Sequence, residues 1–268
     1  MMATFGFIGT GNMAGAIIKA INSTGIKDML FADKFTEKAQ ELSKLTGGKV
    51  SDNQTIANEA DVIFFGVKPQ MLKGMTEEIR DVLNSRKADC MIVSMAAGVS
   101  IESIEAMLGK KYPVIRIMPN TPVEVNKGVI LYSTNELVTE SQEKLFNDSM
   151  KNAGLIDKID EKLIDAASAV SGCGPAFCYM FMEALADGGV LSGLPRDKAI
   201  LYAARTLMGA AELLEKSGKH PGVLKDNVCS PGGSTIEGVK KLEDNGFRAG
   251  IIEAVEASYK KTIELGKK

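Results

Sequence analysis

Apolar residues in the first 160 positions fall in short runs separated by amphipathic stretches. Thr4-Phe5-Gly6-Phe7-Ile8 reads as a strand, after which Ala14, Ile17, Ile18 and Ile21 recur at helical spacing. Met29-Leu30-Phe31-Ala32 is a second strand, followed by a polar helix from about Thr36. Val62-Ile63-Phe64-Phe65-Gly66-Val67 is a third, apolar on both faces as a central parallel strand is. Met91-Ile92-Val93-Ser94 and Val114-Ile115-Arg116-Ile117-Met118 continue the series. Strand–helix alternation of this kind predicts an α/β fold with a doubly wound parallel sheet. From about Glu161 the periodicity turns helical, as in the stripe Ile251, Ile252, Val255, Tyr259 and Ile263. Helices are predicted over roughly 161–170, 175–192, 196–217, 221–228, 234–244 and 247–265, with Pro195 opening one after the Ser192-Gly193 turn. Two domains are therefore expected, an α/β domain over 1–160 and an all-α domain over 161–268.

Composition narrows the functional classes. The chain has 268 residues, 45% hydrophobic and 25% charged, which is ample for a core. Its 32 basic and 34 acidic residues leave a net charge of −2, so no global field draws it to nucleic acid or an anionic membrane. The uncharged stretch from Ala166 to Met182 carries Ser171-Gly172-Cys173-Gly174-Pro175 at its middle and reads as a buried loop between helices, not a membrane span. The N-terminal residues lack the basic region of a signal peptide. Cys90, Cys173, Cys178 and Cys229 form no CxxC pair, which argues against a zinc site or a disulfide framework and for a reducing, cytoplasmic compartment. His220 is the only histidine, so no multi-histidine metal centre exists.

The clearest motif is Gly9-Thr10-Gly11-Asn12-Met13-Ala14. It follows a strand and opens an amphipathic helix, the setting of a dinucleotide-binding fingerprint. Gly9 permits the tight turn, Gly11 lets the backbone approach a pyrophosphate, and Ala14 allows close helix–strand packing. The helix N-terminus offers amide N–H groups to phosphates. Asp33 ends the second strand, 24 positions after Gly9, where an acid accepts hydrogen bonds from the adenosine ribose and repels a 2′-phosphate. Lys34 follows and would attract that phosphate, so NADH and NADPH both stay open.

Further segments read together: Gly66-Val67-Lys68-Pro69, Ser94-Met95-Ala96-Ala97-Gly98-Val99, Arg116-Ile117-Met118-Pro119-Asn120-Thr121-Pro122, Ser171-Gly172-Cys173-Gly174-Pro175-Ala176, Ala186-Asp187-Gly188-Gly189-Val190, and Leu224 through Cys229-Ser230-Pro231-Gly232-Gly233-Ser234-Thr235. In this order and spacing the whole chain resembles the pyrroline-5-carboxylate reductase family, most specifically in the last segment. The resemblance implies a Rossmann domain followed by a helical domain that forms an intertwined homodimer, with dimers associating further, commonly into decamers. It implies an active site between the nucleotide domain of one subunit and the helical domain of its partner. It implies NADPH or NADH as cofactor, and 1-pyrroline-5-carboxylate as the substrate reduced to L-proline.

Position by position, the resemblance implies that Gly9, Gly11, Asn12 and Met13 line the pyrophosphate, and that Asp33, Lys34 and Asn53 lie on the adenosine side. Val67, Lys68 and Pro69 would form a cofactor wall, Ala96, Ala97 and Gly98 a segment near the nicotinamide, and Asn227 a helical-domain contact near the cofactor. Gly233, Ser234 and Thr235 would hold the substrate carboxylate and ring nitrogen. Two positions depart from the family pattern: Cys173 stands where serine is usual, and Gly218 where some members carry glutamate.

The implied chemistry is hydride addition to the carbon of a cyclic imine, made electrophilic by protonation at nitrogen, and it needs no metal. Positioning supplies much of the rate. Thr235 is the expected catalytic residue, orienting or helping to protonate the ring nitrogen, while a helix-capping role fits the same position. His220 is read as a partly buried structural residue ahead of a proton donor, and Met180 and Met182 as core filler. A β-hydroxyacid dehydrogenase would need a lysine where Cys178 stands. A non-catalytic nucleotide sensor would have no use for the 231–235 segment.

Overall fold

The computed structural model describes residues 3–266. The chain begins with β1 (Phe5–Ile8), α1 (Asn12–Ser23), β2 (Met29–Ala32), α2 (Thr36–Thr46), β3 (Lys49–Val50), α3 (Asn53–Glu59), β4 (Val62–Phe65), α4 (Pro69–Ser85), β5 (Met91–Ser94), α5 (Ile101–Leu108) and β6 (Val114–Met118). A 3₁₀ turn (Thr121–Val125), β7 (Gly128–Thr134), α6 (Glu140–Met150) and β8 (Gly154–Lys158) complete the sheet region. The remainder is helical: α7 (Glu161–Ser171), α8 (Gly174–Leu191), α9 (Arg196–Ser217), α10 (Pro221–Val228), α11 (Ser234–Asp244) and α12 (Phe247–Gly266).

The eight strands lie in the order β3-β2-β1-β4-β5-β6-β7-β8. All neighbours are parallel except β6 and β7. That exception departs from the uniformly parallel sheet expected of the sequence and follows from chain length. A parallel crossover needs about a dozen residues or more, and the link from Met118 to Gly128 is too short to provide one. The third strand is also shorter than expected, because Gly66 and Val67 already belong to the loop after β4.

Alternation along the strands builds two cores. Phe5, Phe7, Phe31 and Phe64 point to one face, with α1 and α6. Ile8, Ile63, Phe65 and Ile92 point to the other, with α3, α4 and α5. Phe7 and Phe64 stack with ring centroids 4.7 Å apart. Burying each such side chain contributes roughly 1.5–3 kcal/mol.

The chain packs as two compact units, one of residues 3–173 with 258–266 and one of 174–257. The expected boundary at 160 falls just before α7, whose Ile164 and Ala169 are fully buried in the first unit. Side chains of β6 and the residues after it hold this helix at both ends. Arg116, almost completely buried, pairs with Glu161 at 3.2 Å and with Asp165 at 2.5 Å. Glu161 also accepts the Ile101 N–H at 2.7 Å. At the other end, Asn120 donates to the Ser171 carbonyl at 2.9 Å and accepts from the Val129 N–H at 2.8 Å.

The 166–182 stretch holds the expected loop between helices, but the loop is only partly buried. The stretch is helical except around Gly172 and Cys173, and in α8 only Ala186 is buried. Met180 is exposed, not core, whereas Met182 packs against the small cluster of Ala186, Ala199 and Ala203.

Removing one side of a buried ion pair leaves uncompensated charge and costs about 3–5 kcal/mol. Arg116→Leu strands two carboxylates. Urea denaturation should show a loss of that order, against a few tenths for an exposed control such as Lys144→Ala.

Candidate functional site

The loops leaving β1, β2, β4 and β5 all emerge at the carboxyl edge of the sheet. The chain reverses its direction of winding between β1 and β4, the crevice where open α/β sheets take their ligands. Gly9 stands there with φ +93°. A Cβ on it would lie 2.7 Å from the carbonyl carbon of Gly66 and 2.7 Å from the Val67 nitrogen. Backbone meets backbone, so both the torsion and the space demand glycine. Ala14, one turn on, is buried close to Gly66.

Gly11 is different. It is the N-cap of α1, its torsions suit any residue, and a Cβ on it would meet nothing within 4 Å. No side chain caps the helix, and its first turn holds no acidic residue. Packing does not require this glycine, but a phosphate approaching the N–H groups of Asn12 and Met13 does. The residues therefore fit a bound dinucleotide.

Asp33 is half-buried at the end of β2. Its Oδ2 accepts from the Thr10 N–H at 2.6 Å and the Thr10 hydroxyl at 3.0 Å, and its Oδ1 accepts from the Phe35 N–H at 2.9 Å. Burial pushes its pKa up, but these hydrogen bonds and the charge of Lys38 outweigh burial and hold it below the usual carboxylate value. Lys34 is exposed beside it. Asn53 opens α3 and donates to Glu78 at 2.9 Å. Val67 packs on the second core, Lys68 is the N-cap of α4, and Pro69 is its first residue. Ala96 is buried and Ala97 exposed. Gly98 has φ +74°, and a Cβ there would come within 3.2 Å of the Gly266 backbone at the end of α12.

In the helical unit, Gly233 is the N-cap of α11, and no side chain caps this helix either. Ser234 and Thr235 are its first two residues, so the capping role weighed for Thr235 is not the one it holds. Both are exposed, as is Asn227 on α10. Gly232 has φ +67°, and Gly233 packs tightly on Ser230. His220 is exposed rather than partly buried. It is the N-cap of α10, its Nδ1 accepting the Gly222 N–H at 3.1 Å. Among the described residues no cluster of three or more His, Cys, Asp or Glu side chains gathers to hold a metal.

Nothing in the sequence pairs Thr10 with Asp33, since only folding brings them together. The clamp formed by Arg116 and Asn120 was visible as a segment but not as a set of partners.

Comparisons with known proteins cover both units. A family profile described as pyrroline-5-carboxylate reductase dimerisation matches residues 161–265, and one described as NADP oxidoreductase, coenzyme F420-dependent, matches residues 4–98. Pyrroline-5-carboxylate reductase of Escherichia coli (strain K12) is 39% identical over 271 residues, covering 100% of both chains. That of Pisum sativum is 38% identical over 265 residues, covering 98% of this chain and 96% of the relative. A crystal structure of Plasmodium falciparum pyrroline carboxylate reductase with NADP bound superposes with a TM-score of 0.87 at 33% identity, covering 98% of each chain.

The two fingerprint glycines separate by experiment. Gly9→Ala should lower thermal stability, because backbone atoms block the new Cβ. Gly11→Val should leave the melting temperature within a few degrees of the parent. It should weaken NADPH and NADH binding at least about tenfold by fluorescence titration, since it fills the space above the helix N-terminus.

Proposed function

The chain belongs to the pyrroline-5-carboxylate reductase family, and from that premise we propose that it reduces 1-pyrroline-5-carboxylate to L-proline with NADPH or NADH. Full-length similarity carries this reading, because the glycine fingerprint and the 231–235 segment both lie within it. The bound cofactor supplies the hydride, which adds to the C=N carbon. The protein's task is to seat the imine, hold its carboxylate and favour the form protonated at nitrogen.

The N-terminus of α11 suits the carboxylate. Gly233 occupies the cap position without contributing a side chain, so the N–H groups of the first turn face outward. Gly232 leaves open space beside the helix end, and Gly233 packs against Ser230. Thr235, in the first turn and not engaged as a cap, is the hydroxyl that orients the ring nitrogen. The 96–98 segment flanks the nicotinamide, Asn12, Met13 and the 67–69 segment flank the phosphates, and Asn227 is assigned a cofactor contact from the family resemblance alone. His220 has a structural role in this scheme, its Nδ1 accepting the Gly222 N–H as the N-cap of α10.

Residues 161–268 form the dimerisation and substrate-binding region in this reading. In the helical unit only Ala186, Ala199 and Ala203 are buried, while Tyr179, Met180, Leu191, Ile200, Leu201 and Ile252 are exposed. So much apolar surface requires a covering partner. Residues 161–191 have the length and apolarity to cross a membrane. Glu183 and Asp187 lie along α8, however, and Asp187 pairs with Arg196, which favours a second copy of the chain. The protein is a cytoplasmic homodimer that can assemble to a decamer, without nucleic-acid or membrane partners. Free Cys90, Cys173, Cys178 and Cys229 are consistent with a reducing compartment.

Two measurements test this. Thr235→Ala should lower kcat/KM for the imine by about 10- to 100-fold, the cost of losing a hydrogen bond to a charged group, with NAD(P)H affinity unchanged. Unchanged kcat/KM would remove Thr235 from the reaction. Light scattering should give twice the 28.6 kDa chain mass, or an even multiple of it. A single-chain mass would refute the assembly.

A further inference from the structure

Asp33 and Thr10 meet where the loops after β1 and β2 run side by side, the Gly9 N–H bonding to the Ala32 carbonyl at 2.8 Å. An ionised carboxylate offers about four acceptor positions. Three are filled: two on Oδ2 by the Thr10 N–H and hydroxyl, and one on Oδ1 by the Phe35 N–H. One position on Oδ1 remains. Thr10 is only 3% exposed, so the loop end of this clasp is packed in place.

We propose that the Asp33–Thr10 clasp makes this chain select NADH over NADPH. The reading rests on the family assignment and on the nucleotide site described above. A fixed anion at the end of β2 accepts one ribose hydroxyl through its remaining position and repels a 2′-phosphate. The same carboxylate ties down the loop that cradles the pyrophosphate, so Asp33 serves selection while Thr10 serves loop shape.

Two cations oppose this. Lys38 already acts on Asp33 itself. Lys34 is exposed on a flexible four-carbon stem and must lose rotamer freedom to hold a phosphate. Asp33 is held by three hydrogen bonds before any ligand arrives, so the preorganised charge decides.

The test compares NADH and NADPH in steady-state kinetics with 1-pyrroline-5-carboxylate and in direct titrations of nucleotide fluorescence. The chain has no tryptophan to interfere with the titrations. The parent should favour NADH at least about tenfold in kcat/KM. Asp33→Asn keeps the shape and removes the charge. It should move the NADH/NADPH ratio toward NADPH by about 10- to 100-fold. Thr10→Val removes only the hydroxyl and should weaken both cofactors alike, leaving the ratio in place.

A parent that prefers NADPH, or an Asp33→Asn ratio equal to that of the parent, overturns the proposal. A Thr10→Val shift as large as that of Asp33→Asn overturns the division of labour between them. If no cofactor supports turnover, the family reading fails, while the titrations still decide cofactor choice.

Discussion

The approach of Gly9 to Gly66 is the constraint on which the nucleotide site depends. The loops leaving β1 and β4 touch through backbone atoms at the point where the sheet reverses its winding. Only that closeness lets α1 start directly beneath the crevice and aim its N–H groups into it. A side chain on either glycine would wedge the loops apart, shift Ala14 and tilt the helix. Other features then tune a geometry already set: Gly11 leaves room, Asp33 fastens the loop from the β2 side, and the 96–98 segment lines the next strand end.

The two helices assigned to anions share a device. α1 and α11 are both capped by glycine, and neither carries a side-chain cap. Elsewhere Asp52, Ser100, Thr139, Asp160 and His220 spend a side chain on the first amides of their helices. α2, α4 and α9 also lack a side-chain cap, but their N-caps are Phe35, Lys68 and Pro195, so of these uncapped helices only α1 and α11 open on a glycine cap that leaves the first amides unobstructed by a side chain. Both ends therefore present the same backbone chemistry, amide N–H groups left open at a glycine cap.

Most of this architecture could be read from periodicity. The strands at Met29–Ala32, Met91–Ser94 and Val114–Met118 fall where their apolar runs predict. The six C-terminal helices are found within about a residue of expectation, because alternation and helical spacing report burial directly. β3 gives no periodic signal, because it has two residues, both exposed. β7 and β8 do not continue the parallel strand–helix series, because β7 runs antiparallel to β6. The short link after Met118 already required an antiparallel turn. Glycine roles were legible because they belong to single positions. The pairing of Thr10 with Asp33, and of Arg116 with Glu161 and Asp165, was not, since it depends on loops distant in sequence arriving together.

The helical unit shows why its packing and its assembly belong together. Small residues let α8 and α9 pack closely: a Cβ on Gly189 would lie 3.3 Å from that of Ala199. Close packing of alanine and glycine buries little area per residue, so this pair alone cannot offset the entropy of ordering the remaining helices. The larger apolar side chains point outward instead. Stability of the unit must then come from a partner that covers them, which makes it depend on protomer concentration. α11, which carries Gly233, Ser234 and Thr235 at its start, likewise has no buried residue within the single chain. The packing of this unit and its association therefore draw on the same apolar surface.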